Sequence, residues 1–125
     1  MASYDSRFKP PAPLALVTFF SADRSAHVND VPMLIDTGAD GSVVPLSIVN
    51  QLGVRLLSDK ALEIEGYDGS KNIVNLAMLE MDFCEQIFTG EFILLDQSIG
   101  IVGRNVLNLF NLNFNGPKLT WNETP

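Results

Sequence analysis

Short apolar runs of strand length recur along the chain, with turn-forming residues between them. The runs are rich in Val, Ile, Leu and Phe, which are residues that favour β-strands. This pattern predicts a mostly β domain. The predicted strands are Leu14–Phe20, Val31–Ile35, Ala61–Ile64, Ile73–Phe83, Ile87–Leu95 and Ile99–Val102.

Two short helices and one hairpin are also predicted. Pro45 can open the first helix and Gly53 can close it, because proline suits a helix start and glycine suits the position after its end. The second helix spans Arg104–Asn111, where apolar residues recur at helical spacing. Near the C-terminus, Asn115-Gly116 lies between two apolar segments and predicts a hairpin.

The two halves of the chain share an order of elements, which is an apolar strand, a glycine-containing turn and a helix. Gly38 marks the turn in the first half and Gly103 marks it in the second. Residues 1–13 are polar and contain prolines, so we expect a flexible N-terminal arm before one domain at 14–125. A chain of 125 residues has room for one packed core.

Composition and charge exclude several classes of protein. The formal net charge is −7 and the basic residues are scattered, which argues against nucleic-acid binding. Cys84 is the single cysteine, so no intramolecular disulfide can form and a reducing compartment is favoured. No apolar run has the length of a membrane span, and Leu14–Phe20 lacks the cleavage site of a signal peptide. We therefore expect a cytoplasmic protein with no membrane partner.

The stretch PMLIDTGADGSVVP, residues 32–45, raises the main chemical question, because an apolar strand runs directly into Asp36. A carboxylate at the end of such a strand is costly unless it is hydrogen-bonded, coordinated or able to share a proton. In many proteins an aspartate at a turn only caps its own backbone. Here Thr37 adds a hydroxyl and Gly38 permits a close backbone approach, so a functional role is also open.

Three chemistries place an aspartate in such a position. A calcium loop that begins at Asp36 would need a glutamate at its twelfth position, where Ser47 stands. An aspartyl-phosphate enzyme would carry a second acid in place of Gly38. An aspartic protease needs two carboxylates that share a proton and activate a water molecule, and this chain offers one. We expect no metal and no cofactor.

The segments LIDTGAD (residues 34–40) and IVGRNVL (residues 101–107) resemble, in this order, two motifs of the retropepsin family. This family comprises retroviral and retrotransposon proteases with their bacterial and cellular relatives. The D-T-G triplet alone is a weak signal, whereas its combination with the distal motif is specific. The resemblance covers roughly Leu14 to Trp121. It implies a mostly β, single-lobe acid-protease fold, a closed β-barrel with short helices that acts as a homodimer.

The resemblance also implies roles for individual residues. Asp36 would be the catalytic acid, with one such acid from each chain, and Thr37 and Gly38 would shape the active-site turn. Asp40 and Arg104 would form a structural ion pair. A flap hairpin would cover the substrate, and its tip would comprise Gly66, Tyr67, Asp68 and Gly69.

The function implied is that of an aspartic endopeptidase that cleaves extended polypeptides with an activated water. A catalytically silent module that dimerises and binds peptides is the alternative. The C-terminal hairpin either completes the core of one chain or forms a sheet shared by two chains. His27 and Cys84 lie in no recognisable nucleophile motif, and we expect Cys84 to be a buried structural thiol.

Overall fold

The computed structural model describes residues 2–54, 61–65, 69 and 71–125. In these residues, ten strands and two short helices make up the regular structure, and the strands join in one sheet. The helices are α1 (Leu46–Leu52) and α2 (Arg104–Leu107). The strands are β1 (Ala2–Asp5), β2 (Ala12–Ser21), β3 (His27–Ile35), β4 (Val43–Pro45), β5 (Ala61–Glu65), β6 (Lys71–Phe83), β7 (Gln86–Leu95), β8 (Gly100–Val102), β9 (Leu112–Asn115) and β10 (Thr120–Glu123).

Six of the described strands close into a barrel. In the order β6, β7, β4, β8, β3 and β2, each strand pairs with the next, and β2 pairs in turn with β6. Every strand of this ring has a partner on each side over part of its length, so the core is enclosed. The mostly β fold with a closed barrel is therefore confirmed.

The barrel interior is apolar because successive residues of a strand point to opposite faces. On β2, Ala15 and Val17 are buried, whereas Leu16 between them is 64% exposed. Further along the same strand, Phe19 packs edge to face on Phe92 of β7, with ring centroids 5.2 Å apart. This alternation stabilises the strand register, since a shift by one residue would turn the apolar side chains outward.

Both predicted helices are present, but the second is shorter than predicted. α1 follows Pro45 directly and is closed by Gly53, whose φ of 67° is left-handed. α2 ends at Leu107, because the chain then turns and places Phe110 edge to face against Phe83, with ring centroids 5.0 Å apart. Neither described helix is long and apolar enough to cross a membrane.

The two ends of the chain form a small sheet outside the barrel. The predicted hairpin is present, with β9 and β10 paired so that Asn115 lies opposite Thr120. β1 pairs with β10 and with the start of β2. Ala2–Asp5 of the expected arm therefore forms a strand with partners on both sides, while the flexibility of residues 1–13 stays a prediction. The boundary at residue 14 stays a prediction.

Candidate active site

Strands β3 and β8 bring the two sequence motifs together. They pair in parallel, with Leu34 opposite Ile101 and Ile35 opposite Val102. At the end of this pairing, the N–H of Asp36 donates to the carbonyl of Val102 at 3.1 Å. The two segments of strand, glycine turn and helix noted in the sequence are thus neighbours, and Asp36 lies at their junction.

Asp36 opens a tight turn that its own carboxylate caps. The N–H of Gly38 donates to Asp36 Oδ1 at 2.8 Å, and the N–H of Ala39 donates to the Asp36 carbonyl at 3.2 Å. Asp36 is half-buried, whereas Thr37 and Gly38 are exposed. Oδ2 accepts no hydrogen bond from any described residue. One carboxylate oxygen of Asp36 therefore caps the turn.

The turn that follows Asp36 is fastened to the start of α2. The N–H of Arg104 donates to the carbonyl of Ala39 at 2.8 Å, and the N–H of Asn105 donates to the carbonyl of Asp40 at 3.3 Å. These main-chain groups are the free donors at the beginning of a helix. The distal motif therefore fixes the backbone of the turn that carries Asp36.

The expected ion pair between Asp40 and Arg104 is absent from the described chain. Arg104 instead donates from Nη1 to the carbonyl of Thr37 at 2.8 Å, and Asp40 contributes only its main-chain carbonyl. Both side chains are exposed, and an exposed ion pair gains little for the entropy lost in ordering two side chains. A carbonyl in an already fixed turn offers a better placed acceptor. The Arg104 side chain thus fastens the turn by binding a main-chain carbonyl of the turn.

Ser42 is a buried polar residue in this region that the sequence analysis does not single out. It is 1% exposed, and its Oγ accepts the N–H of Gly103 at 3.0 Å while donating to Asn105 Oδ1 at 2.8 Å. The serine thereby joins the end of the turn to both sides of the distal motif. A serine beside glycine usually indicates an ordinary loop, so the sequence carried no distinctive signal for this role.

Replacement of Ser42 tests this link. Ser42→Ala should lower the free energy of unfolding by about 1–3 kcal/mol, because the buried N–H of Gly103 loses its acceptor. Urea unfolding followed by circular dichroism measures the change. Ser98→Ala, at an exposed position, is the matched control and should change stability by less than about 0.5 kcal/mol. Equal stabilities of the two variants would contradict the assignment.

A hairpin is present at the position of the predicted flap. β5 and β6 pair in antiparallel fashion, with Glu65 opposite Lys71 at the open end of the described ladder. Gly69 has a φ of 82°, a left-handed conformation that glycine adopts without strain. Of the predicted tip, Gly66, Tyr67 and Asp68 lie outside the described residues. The role of this hairpin as a flap stays a prediction.

Cys84 and His27 do not form a nucleophilic pair. Cys84 is half-buried in the turn between β6 and β7, and burial, followed by nearby carboxylates, raises its pKa to about 11. Such a thiol stays protonated near neutral pH and is a poor nucleophile. The ring of His27 lies against Phe20, with ring centroids 6.0 Å apart. Within the described residues, no group of three or more His, Cys, Asp or Glu is placed to hold a metal ion.

Comparison with known proteins identifies the fold. No protein-family profile and no curated protein matches the sequence. Among solved structures, the chain is similar to EIAV protease in complex with the inhibitor HBY-793, with a TM-score of 0.60 and 21% sequence identity. The similarity covers 78% of this chain and 86% of that chain. The protein therefore has a retropepsin-like fold, as the resemblance of its motifs implies.

Proposed function

We propose that this protein is an aspartic endopeptidase, and that two chains each contribute one Asp36 to a shared active site. The observation that carries the proposal is the state of this carboxylate. Asp36 lies at the end of a barrel strand. Its Oδ1 accepts the N–H of Gly38, while its Oδ2 has no hydrogen-bond partner among the described residues. The retropepsin-like fold supports the same function. The substrate would be an extended polypeptide.

The chemistry follows from two carboxylates in close contact. At a separation of about 3 Å both cannot ionise at low cost, so the pair holds one proton over a range of acidic pH. The ionised carboxylate takes a proton from a bound water while the protonated one donates to the carbonyl oxygen of the peptide. Attack of the water then gives a tetrahedral diol, with no covalent bond to the enzyme. In this scheme Gly38 keeps each carboxylate in a fixed orientation.

A single chain supplies only half of such a site. Two grooves formed by described residues have volumes of about 900 and 300 Å³, and Asp36 lines neither of them. In the proposed dimer, the cleft that places a peptide over Asp36 would lie between the two chains. The β5–β6 hairpin would close over it as the flap and exclude water from the reaction.

Strand β9 is our candidate for the seam of the dimer. It stands last in the strand order and has only β10 as a partner among the described strands. It contains neither the charges nor the proline that usually protect an edge strand from pairing. Phe114 on this strand is 41% exposed, and Leu109 just before it is 66% exposed. We infer that β9 pairs with β9 of a second chain around a twofold axis.

A charge placed on this edge tests the seam. Phe114→Lys should weaken dimerisation at least about tenfold, because pairing would bring two ammonium groups together and remove them from water. Sedimentation velocity over a concentration series measures the effect. Ile87→Lys is the matched control, since Ile87 is 47% exposed at the start of β7 and should leave dimerisation unchanged. If both variants dimerise like wild type, the seam lies elsewhere.

Cleavage of peptides in acid tests the function directly. The purified protein is incubated with a peptide library or denatured casein at about pH 4–6, where a shared-proton pair is active. We expect cleavage within extended substrates and inhibition by statine-like mimics of the tetrahedral diol. Peptide binding without any cleavage would instead support a silent peptide-binding module.

A further inference from the structure

A groove of about 900 Å³ opens where the terminal strands separate from the barrel. On this side, β2 pairs with β1 through Ala12 and Pro13, and with β6 from Thr18 onward. Between these two pairings, Leu14–Val17 have no strand partner on this side in the described part of the chain. The gap is roughly 13 Å long at about 3.3 Å per residue. A short length of strand edge is thus left open inside the barrel wall.

The backbone of this open edge faces the groove. Trp121, which lines the groove, donates from Nε1 to the carbonyl of Leu14 at 3.0 Å. In an antiparallel strand, the main-chain groups of every second residue point to the same side. The N–H and carbonyl of Leu16 therefore face the groove as well. The Leu16 side chain also lines the groove and is 64% exposed, which adds an apolar contact beside these polar groups.

The opposite wall of the groove is acidic. Asp82 near the end of β6 and Glu85 in the turn that follows line it, and neither side chain forms an ion pair or hydrogen bond with a described residue. Arg7 also lines the groove, but its guanidinium is bound to Asp5. The wall therefore carries unbalanced negative charge within reach of the open strand edge.

Cys84 lies next to this acidic wall. It lies between the two acidic residues in the sequence and lines the same groove. Burial is the largest cause of its raised pKa, and the carboxylates of Glu123, Asp82 and Glu85 follow. The carboxylate contribution to this raised pKa has the sign expected beside unbalanced negative charge.

We propose that this groove binds an extended peptide segment that carries apolar and basic side chains on the same face. The segment adds a short strand to β2 and bonds to the main chain of Leu16, as in other cases of β-strand addition. An apolar side chain of the segment contacts Leu16, and a basic side chain two residues away, on the same face, meets Asp82 and Glu85. Asp36 does not line the groove, so this inference stands apart from the proposed cleavage.

Fluorescence titration with designed peptides tests the inference. Trp121 is the only tryptophan and lines the groove, so its emission reports occupancy. The probe is a capped peptide of about four residues, the length of the gap, in which one serine separates lysine from valine so that both side chains lie on the same face. We expect saturable binding that weakens as salt is added. A glutamate–valine peptide should bind at least about tenfold more weakly, and so should a lysine–valine peptide with methylated backbone nitrogens.

Two double variants that change the net charge equally, one in the groove and one outside it, show where the peptide binds. The double variant Asp82→Asn, Glu85→Gln should weaken binding of the lysine–valine peptide by about three- to tenfold. The double variant Asp30→Asn, Asp96→Asn changes net charge equally at exposed positions that do not line the groove, and should bind like wild type. The inference would be overturned if both double variants bound the lysine–valine peptide equally weakly. It would also be overturned if the glutamate–valine peptide or the methylated peptide bound wild type as tightly as the lysine–valine peptide does. Dissociation of dimers by the peptide would also overturn it, since a second copy would then be the occupant.

Discussion

Asp36→Asn should cleave peptides at least about a thousandfold more slowly than the wild-type protein. The amide can neither take a proton from water nor share one with the partner carboxylate, so both steps of the proposed mechanism fail. An asparagine retains an oxygen that can accept the N–H of Gly38, so the turn keeps its capping bond. The variant therefore removes the chemistry while leaving the fold and the dimer in place.

The experiment compares wild type, Asp36→Asn and Asp96→Asn at about pH 4–6. Asp96 is exposed beyond the end of β7, so its replacement makes the same chemical change away from the site and should leave cleavage unaffected. Sedimentation velocity and thermal unfolding, run in parallel, establish that all three proteins dimerise and fold alike. Cleavage by purified Asp36→Asn at the wild-type rate would refute the proposed function.

Gly103→Ala should lower the free energy of unfolding by roughly 3 kcal/mol or more. A Cβ atom at this position would lie 2.1 Å from the carbonyl oxygen of Gly41 and 3.0 Å from that of Ala39. Both neighbours are backbone atoms of the turn that carries Asp36, so no side chain can move aside to relieve the clash. The turn and α2 would have to separate, which breaks the bonds that hold Asp36 in place.

Urea unfolding of Gly103→Ala and Gly116→Ala measures this effect with a matched control. Gly116 lies in the turn of the C-terminal hairpin, where an added Cβ meets nothing within 4 Å. Its replacement should therefore change stability by less than about 0.5 kcal/mol. We expect Gly103→Ala to lose peptide cleavage together with stability. Equal stability of the two variants would mean that the turn and α2 are not packed together as described.

Much of the fold could be predicted from the sequence, because local patterns are enough to specify strands and their ends. The apolar runs from Leu14 to Val102 mark six strands, and the pair Asn115-Gly116 marks the hairpin near the C-terminus. Pro45 and Gly53 mark both ends of α1 because each favours a backbone conformation of its own. The prominence of Asp36 is equally local, since a carboxylate that follows an apolar strand stands out in the sequence.

Other features depend on contacts between distant segments, and local patterns carry little information about them. β1 is polar and has weak strand character, but β10 and β2 provide partners for its backbone. α2 stops early because Phe110 is drawn to Phe83 in the barrel wall. Residue spacing alone could not show that a neighbouring aromatic ring would compete with another turn of helix.

The sequence by itself determined the β architecture, the position of Asp36 at the end of a strand, and the association of its motif with a distal glycine and arginine. Only the tertiary structure decided how these groups are joined. Arg104 binds the carbonyl of Thr37 instead of the carboxylate of Asp40, and Ser42 bridges Gly103 and Asn105. The physical reason is that strand and turn preferences act between neighbours in sequence. The choice of a hydrogen-bond partner depends on distances and angles that exist only once the chain has folded.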